Sequence, residues 1–543
     1  MLFSMVILGV SHPISMNNAA CVLVDGRLVA FAEEERFLRL KHAPHLFAEK
    51  AIEYCLGAAG VTKAQVDVTA VGFSAPTKDG LRRDDIEGYF EGSLSPERNF
   101  RLVLNLSLLD RDLQINSFGR RLYFDHHLCH VASAAIPSGF PAANFISLDG
   151  WGGPKAGLIG FWNGSEMDVY VEIPVANSWG LLFELVTAYL GFRPHSGEGK
   201  TMGLSAFGKV KPEVLPDWCD PDLGLPDTQR YSAHFAKNVV GRDRAEPLLE
   251  RHRDLAATLQ FYLERSLLKI AAMLRHRSRS SRFLLAGGVA LNCSANGRLA
   301  AQEWVEDLFV QPASHDAGTA LGAAILAHRQ LTGSWPRAGF EHAYWGPSFS
   351  DDQIRTALIT AKVPFRKVDP AAAICTALCE NQIVGVFEGR AEVGPRALGN
   401  RSILANPQHA ANVQRVNDIK GRESWRPLAP AVLKERYAEL FVSRVPSEFM
   451  LLASRVREAW RRRIPAVVHV DGSARPQAVV ASTNPIFAAT IRRFEKLSGC
   501  PAVLNTSFNL EDEPIVNTPG NAISSFYRSG LDVLVIGNFM LGK

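Results

Sequence analysis

Short apolar runs that stop at glycine and aspartate constrain this chain more than any other feature. Ala143–Leu148 ends in Asp149-Gly150-Trp151-Gly152-Gly153, and Phe283–Ala286 runs straight into Gly287-Gly288. Asp307–Val310 is followed by a loop and an alanine-rich helical stretch, Thr319–Arg329. Runs this short read as strands, and they alternate with longer segments of helical period, Phe47–Ala59 and Leu255–Arg275. Alternating strands and helices, with glycine and aspartate at the strand ends, are the grammar of an α/β fold that binds ligands where strands stop. The first residues agree. MVILGV is a strand, SHPISMNNA a turn, and ACVLVDGRLVAFAEE a hairpin around Asp25-Gly26. Val68–Phe73 reads as a further strand, and Leu158–Trp162 with Met167–Ile173 as a second hairpin across Asn163-Gly164.

The 543 residues are enough for several domains at roughly 100–200 residues each. A stretch punctuated by proline and glycine, Gly333–Ser350, interrupts the pattern. After it a second α/β pattern begins, with a helix at Ala371–Glu380 and a strand at Ile383–Phe387. This predicts two domains, 1–345 and 350–543. No low-complexity segment and no short-period repeat is present. A net charge of +4 is small for this length and gives no reason to expect a protein that coats nucleic acid. The eight cysteines are scattered with no CxxC pair, which reads as reduced core residues in a cytoplasmic protein. The start lacks a basic region ahead of its apolar run, so it reads as a first strand and not a signal peptide. No apolar run reaches the roughly 18 residues of a membrane span.

Three constellations carry chemistry. In Asp125-His126-His127-Leu128-Cys129-His130, His126 and His130 lie four apart and share one helix face. The same spacing also occurs on plain polar helix faces. The strand-end aspartates Asp149 and Asp316 tilt the reading toward a metal site, because imidazoles suit iron, zinc, nickel or copper and added carboxylates are typical of non-haem iron or manganese. Second, Gly287-Gly288 through Asn292 forms a turn whose amides can cradle phosphate. Lys200 sits in a GKT triplet that lacks the glycine spacing of a P-loop.

The third constellation is the loop Gly389–Ser402, GRAEVGPRALGNRS, with Arg390, Arg396 and Arg401. Arg415, Lys420, Arg422 and Arg426 follow, opposed only by Glu392, Asp418 and Glu423. Arginine forks suit phosphate and carboxylate. Arg475 in a turn, and Asn505 and Ser507 after a strand, extend the set. Few aromatics and lysines are interleaved, which favours a small anionic substrate over nucleic acid.

Taken in order, these motifs resemble the nodulation-protein-U and cephalosporin-carbamoyltransferase family of O-carbamoyltransferases. GVSHPISMNNAACVLVDGRLVAFAEEERFLRLKHA, DHHLCHVASAA, SLDGWGG, EGKTMGLSAFG, AGGVALNC and HDAGTALGAA carry the resemblance in the first half. FEGRAEVGPRALGNRSILANP, IKGRESWRPLAPAVL, HVDGSARPQ and LNTSFNLEDEPIV carry it in the second. The resemblance implies an N-terminal actin/sugar-kinase-like domain followed by a YrdC-like α/β domain. It implies that the second domain makes carbamoyl-adenylate and pyrophosphate from carbamoyl phosphate and ATP with magnesium. Arg396 and Lys420 would act in that step, with Arg390, Arg401, Arg426, Arg475, Asn505 and Ser507 lining the pocket. The first domain would transfer the carbamoyl group to a hydroxyl of a small natural product or glycan. His126, His130, Asp149 and Asp316 would hold iron, with zinc or manganese as alternatives. Gly287, Gly288, Asn292 and Lys200 would bind the nucleotide. His12 would be the general base, although Pro13 follows it where the family often has a small residue. The resemblance leaves room for a homodimer and implies no nucleic-acid partner. A tRNA threonylcarbamoyl-type modifying enzyme and a non-catalytic nucleotide-binding regulator are the competing expectations.

Overall fold

A computed structural model describes residues 4–74, 118–337 and 339–543. The chain divides into two compact units, one of Met1–Glu34 with His42–Phe340 and one of Glu35–Lys41 with Glu341–Lys543. Both are mixed α/β, as the alternating pattern predicts.

The first unit holds two five-stranded sheets. The first is built from β1 (Val6–Val10), β2 (Ala19–Val24), β3 (Arg27–Glu33), β4 (Val68–Val71) and β5 (Arg120–Tyr123), in the order β3-β2-β1-β4-β5. The second is built from β6 (Ala143–Leu148), β7 (Lys155–Trp162), β8 (Met167–Pro174), β9 (Arg282–Ala286) and β10 (Asp307–Val310). Its order, β8-β7-β6-β9-β10, repeats the first. In both, the first three strands are antiparallel neighbours, and the fourth and fifth add in parallel. One architecture therefore occurs twice, which no repeat in the sequence announces. The central strands β1 and β6 are buried along their whole length. A strand with neighbours on both sides and covered faces takes mostly small or apolar residues. The Asp25-Gly26 turn closes its hairpin with Val24 opposite Arg27.

Two helices position the first candidate site. His126–Ala135 is capped by Asp125, whose carboxylate accepts the Leu128 amide at 2.9 Å. Ala317–Thr332 packs against it, and Gly322 makes the approach close enough to matter. A Cβ there would sit 1.9 Å from the Cys129 carbonyl oxygen, so any other residue would push the helices apart.

The second unit is built on an eight-stranded sheet of β11 (Arg366–Lys367), β12 (Val384–Phe387), β13 (Arg401–Ala405), β14 (Ala429–Leu433), β17 (Gln477–Val479), β18 (Ala502–Ser507), β19 (Val533–Ile536) and β20 (Phe539–Gly542). Its order is β11-β20-β19-β12-β13-β18-β14-β17, and β15 (Ser454–Arg455) with β16 (Ser473–Ala474) makes a separate ribbon. Val384, Phe387, Leu404, Val432, Val503 and Phe508 lie in one buried apolar cluster of this unit. Residues 35–41 are bound into it. Arg36 donates to the Gly394 carbonyl, and Arg39 to those of Pro514 and Ile515, each at 2.7 Å. Among the described residues, no helix is long and apolar enough to cross a membrane.

Candidate functional site

In the first unit the side chains of His126, His130, Asp149 and Asp316 converge. One donor atom from each lies within 4.8 Å of the others. Asp149 Oδ2 stands 3.0 Å from His130 Nε2 and 3.3 Å from His126 Nε2. Asp316 Oδ1 lies 3.7 Å and 3.9 Å from the same two nitrogens. His126 Nδ1 faces the Gly72 carbonyl at 3.2 Å and can only donate to it, so the neutral ring points its Nε2 lone pair into the cluster. The electrostatics call for a cation. Burial works against a charge on His126, yet Asp149 and Asp316 lift its pKa above the usual value. Burial likewise works against the Asp149 carboxylate, yet His126 and His130 hold it well below the usual range. One divalent ion placed among them would serve all four donors. The donor set therefore fits a divalent cation.

Two strand-end loops meet at the same aspartate. Asp149 Oδ1 accepts the amides of Gly150 at 2.8 Å and Gly288 at 3.2 Å. Gly287 makes this turn at φ +81°, and a Cβ on it would stand 2.2 Å from the Leu148 carbonyl oxygen. Gly287 and Gly288 thus lie beside the His/Asp cluster. Asp316 is held in turn, because its Oδ2 accepts the Met16 amide at 2.9 Å.

One expectation for this unit is corrected. Asn292 does not present its side chain to a ligand. It caps the helix Cys293–Ala300 through Ala295 and pairs with Gln260 in both directions, at 2.8 Å and 3.0 Å. His12 is buried beside Phe73. Its Nδ1 accepts the Ile14 amide at 3.1 Å, so the single proton of the neutral ring sits on Nε2. Burial, then the nearby His126, pushes its pKa down to about 3. Lys200 lies on the short helix Glu198–Leu204 with its ammonium 5.7 Å above the Phe192 ring. Phe73, which sequence reasoning passed over, lies between the two histidines, 5.3 Å from the His12 ring and 5.6 Å from that of His126.

The second unit gathers cations. Lys420 is buried, with its ammonium facing Ser507 Oγ at 3.2 Å, the Asn509 carbonyl at 3.0 Å and Asn509 Oδ1 at 2.9 Å. Burial, then Arg422, Arg426 and Lys41, drives its pKa well below the ordinary lysine value. Burial and the charges of Arg426 and Arg475 push Arg422 down to about 9. Arg426 also falls below its usual value, through burial and Arg475, and its ion pair with Glu423 is long at 3.9 Å. Arg475 makes no hydrogen bond or ion pair among the described residues. Like charges held together with so little acid opposite them are unfavourable unless an anion joins them. Asn505 and Ser507 are two apart on β18 and so share a face of it. Asn505 Nδ2 binds Gln477 Oε1 at 2.8 Å.

The loop Gly389–Ser402 divides in role. Arg401 is fully buried, donates to the carbonyls of Glu388, Asn400, Pro347 and Gly389, and lies 3.7 Å over the Phe387 ring. The expected anion ligand is therefore a scaffold residue. Arg390 is similarly engaged by the carbonyls of Trp345 at 2.7 Å and Gly346 at 3.2 Å. Arg396 is half-buried. The loop's organiser is Glu392, which sequence reasoning counted only as an opposing charge. Its Oε1 accepts the amides of Leu398 and Asn400 at 2.8 Å and of Arg401 at 3.2 Å.

A family model described as Carbamoyltransferase N-terminus matches residues 6–325, and one described as Carbamoyltransferase C-terminus matches residues 375–543. Nodulation protein NolNO of Sinorhizobium fredii is 36% identical over 97% of this chain and 79% of its own length. Nodulation protein NolO of Bradyrhizobium diazoefficiens is 37% identical over 77% of this chain and 79% of its own. The 3'-hydroxymethylcephem-O-carbamoyltransferase of Streptomyces clavuligerus is 30% identical over 78% of this chain and 81% of its own. Among solved structures, full-length HypF in a phosphate- and nucleotide-bound form aligns with 61% of this chain and 56% of its own, at 14% identity and a TM-score of 0.37. A likeness that loose adds nothing to the reading of the site.

Proposed function

This chain belongs to the carbamoyltransferase family, and from that premise we propose that it is an ATP-dependent O-carbamoyltransferase working in two steps at two sites. The second unit, read as YrdC-like, activates the carbamoyl group. Water releases phosphate from carbamoyl phosphate, and the carbamate left displaces pyrophosphate from ATP to give carbamoyl-adenylate. The first unit, read as actin/sugar-kinase-like and supported in that by its twice-used sheet topology, passes the group to a hydroxyl and frees AMP.

The observation that carries this reading is the cluster of Lys420, Arg422, Arg426 and Arg475. Both substrates are polyanions, and cations already placed lower the cost of charge that moves between phosphates. Arg396 and Ser507 are proposed to complete the pocket. In the first unit His126, His130, Asp149 and Asp316 would hold iron, zinc or manganese. When bound, that ion supplies Lewis acidity and a template for the adenylate phosphate. Gly287 and Gly288 keep Asp149 aimed through the Gly288 amide. The acceptor is proposed to be a small natural product or glycan. The Streptomyces clavuligerus relative, whose name gives it a hydroxymethyl oxygen as acceptor, supports that class.

Exchange of labelled pyrophosphate into ATP tests the activation step. Exchange should depend on carbamoyl phosphate. Exchange driven instead by threonine and bicarbonate would replace this reading with tRNA threonylcarbamoylation.

A further inference from the structure

We infer that His12 serves the transfer step as a fixed hydrogen-bond donor through Nε2–H, and that the proton of the acceptor hydroxyl leaves on the departing phosphate instead of on this imidazole. The inference rests on the proposed transfer in the first unit. It deepens that reading by giving a role to a residue that is an ordinary candidate for the base.

The geometry leaves little choice. A backbone amide can only donate, so the nitrogen facing the Ile14 N–H at 3.1 Å must be a bare acceptor. A neutral imidazole carries one proton, which is then on Nε2. A base acting through Nε2 needs a lone pair where this ring has a hydrogen. The ring also stays neutral, because burial opposes its charge and His126 repels it. Nε2 makes no hydrogen bond among the described residues. The ring packs on Phe73, which also packs on His126, so the donor belongs to the same neighbourhood as the metal cluster.

The chemistry balances without a histidine base. The acceptor oxygen bonds to the carbamoyl carbon, and the carbon–oxygen bond to the adenylate phosphate breaks. That electron pair goes to the phosphate oxygen, and the hydroxyl proton follows it there, giving the carbamate ester and AMP. As the hydroxyl adds, the carbamoyl carbonyl oxygen gains negative charge. A neutral N–H held beside that oxygen stabilises it, an effect worth on the order of 100-fold in rate.

Two measurements decide the matter. Two-bond proton–nitrogen spectra of the full chain with 15N-labelled histidine, with His12 assigned by its loss in His12→Gln, should show the Nε2–H form. That form should not change from about pH 5.5 to about pH 8.5. An Nδ1–H form, or a midpoint in that interval, would overturn the inference. The second measurement is AMP release from ATP and carbamoyl phosphate, with water and then about 2 M ethylene glycol as surrogate acceptors. His12→Ala should lose about 100-fold. His12→Gln, which keeps a donor but cannot act as a base, should recover to within about 10-fold of the wild type. Equal loss in both variants would contradict the donor role. Absence of pyrophosphate exchange in the wild type would instead sink the two-step reading and leave the tautomer result standing.

Discussion

Replacing Arg401 and replacing Arg475 should have opposite consequences, although both are arginines of the same basic stretch. Arg401→Lys removes the fork that reaches four carbonyls and lies over Phe387. It should cost about 3 kcal/mol in urea unfolding, since buried acceptors lose their partners. Arg475→Ala relieves repulsion with Arg422 and Arg426, so the melting temperature should hold or rise. Pyrophosphate exchange should fall on the order of 100-fold. A destabilised Arg475→Ala would make that arginine structural and remove it from the pocket. The pH dependence of stability is set at this scale too. His12 has a folded pKa lowered to about 3 from 6.5. Between those values the unfolded chain binds more protons, so His12 reduces stability by about 1.4 kcal/mol per pH unit as pH falls through that window. His12→Gln should flatten the acid limb of the unfolding midpoint against pH. Residue types and spacing were legible here, but engagement was not. Nothing local in GRAEVGPRALGNRS tells which arginine will meet carbonyls supplied by residues 347 and 388. Asn292 was more readable, because an asparagine just ahead of a helix is an ordinary cap.

At the scale of elements, the strands and hairpins followed the sequence closely. Ala143–Leu148 and Asp307–Val310 have the bounds that their apolar runs predict. The helix Glu250–Ser278 overruns its predicted ends, Leu255 and Arg275, because its polar flanks continue the turn pattern without adding apolar period. The strand Arg120–Tyr123 was not anticipated, since it begins with two exposed arginines at a sheet edge. The repeated sheet order was not visible either. It depends on pairings such as Ile7 with Val68 and Asn144 with Phe283, which no window of sequence contains. The strand-end turn at Gly287 yields a prediction of its own. Gly287→Ala meets the Leu148 carbonyl and must shift the turn that holds the Gly288 amide on Asp149. Zinc or manganese affinity by calorimetry should fall about 10- to 100-fold although no ligand is changed. Unaltered affinity would mean that the turn does not aim Asp149. In the wild type the same ions should raise the melting temperature, and His130→Ala should abolish that rise.

At the scale of the whole molecule, the proposed function assigns a cation site to one unit and an anion site to the other. The family and the two α/β patterns were readable from long motifs in order. The inclusion of residues 35–41 in the second unit was not, because Arg36 and Arg39 are fixed by carbonyls of residues 394, 514 and 515. Metal removal should divide the steps. Protein stripped by chelation should keep pyrophosphate exchange and lose carbamate formation, and divalent ion should restore the second without altering the first. The central claim of separate activation and transfer is met most directly by measuring carbamoyl phosphate-dependent pyrophosphate exchange in wild type, Arg475→Ala and His126→Ala side by side. Exchange lost in Arg475→Ala and retained in His126→Ala, with AMP release abolished in both, is the result this account requires. Equal loss of exchange in both variants would contradict it.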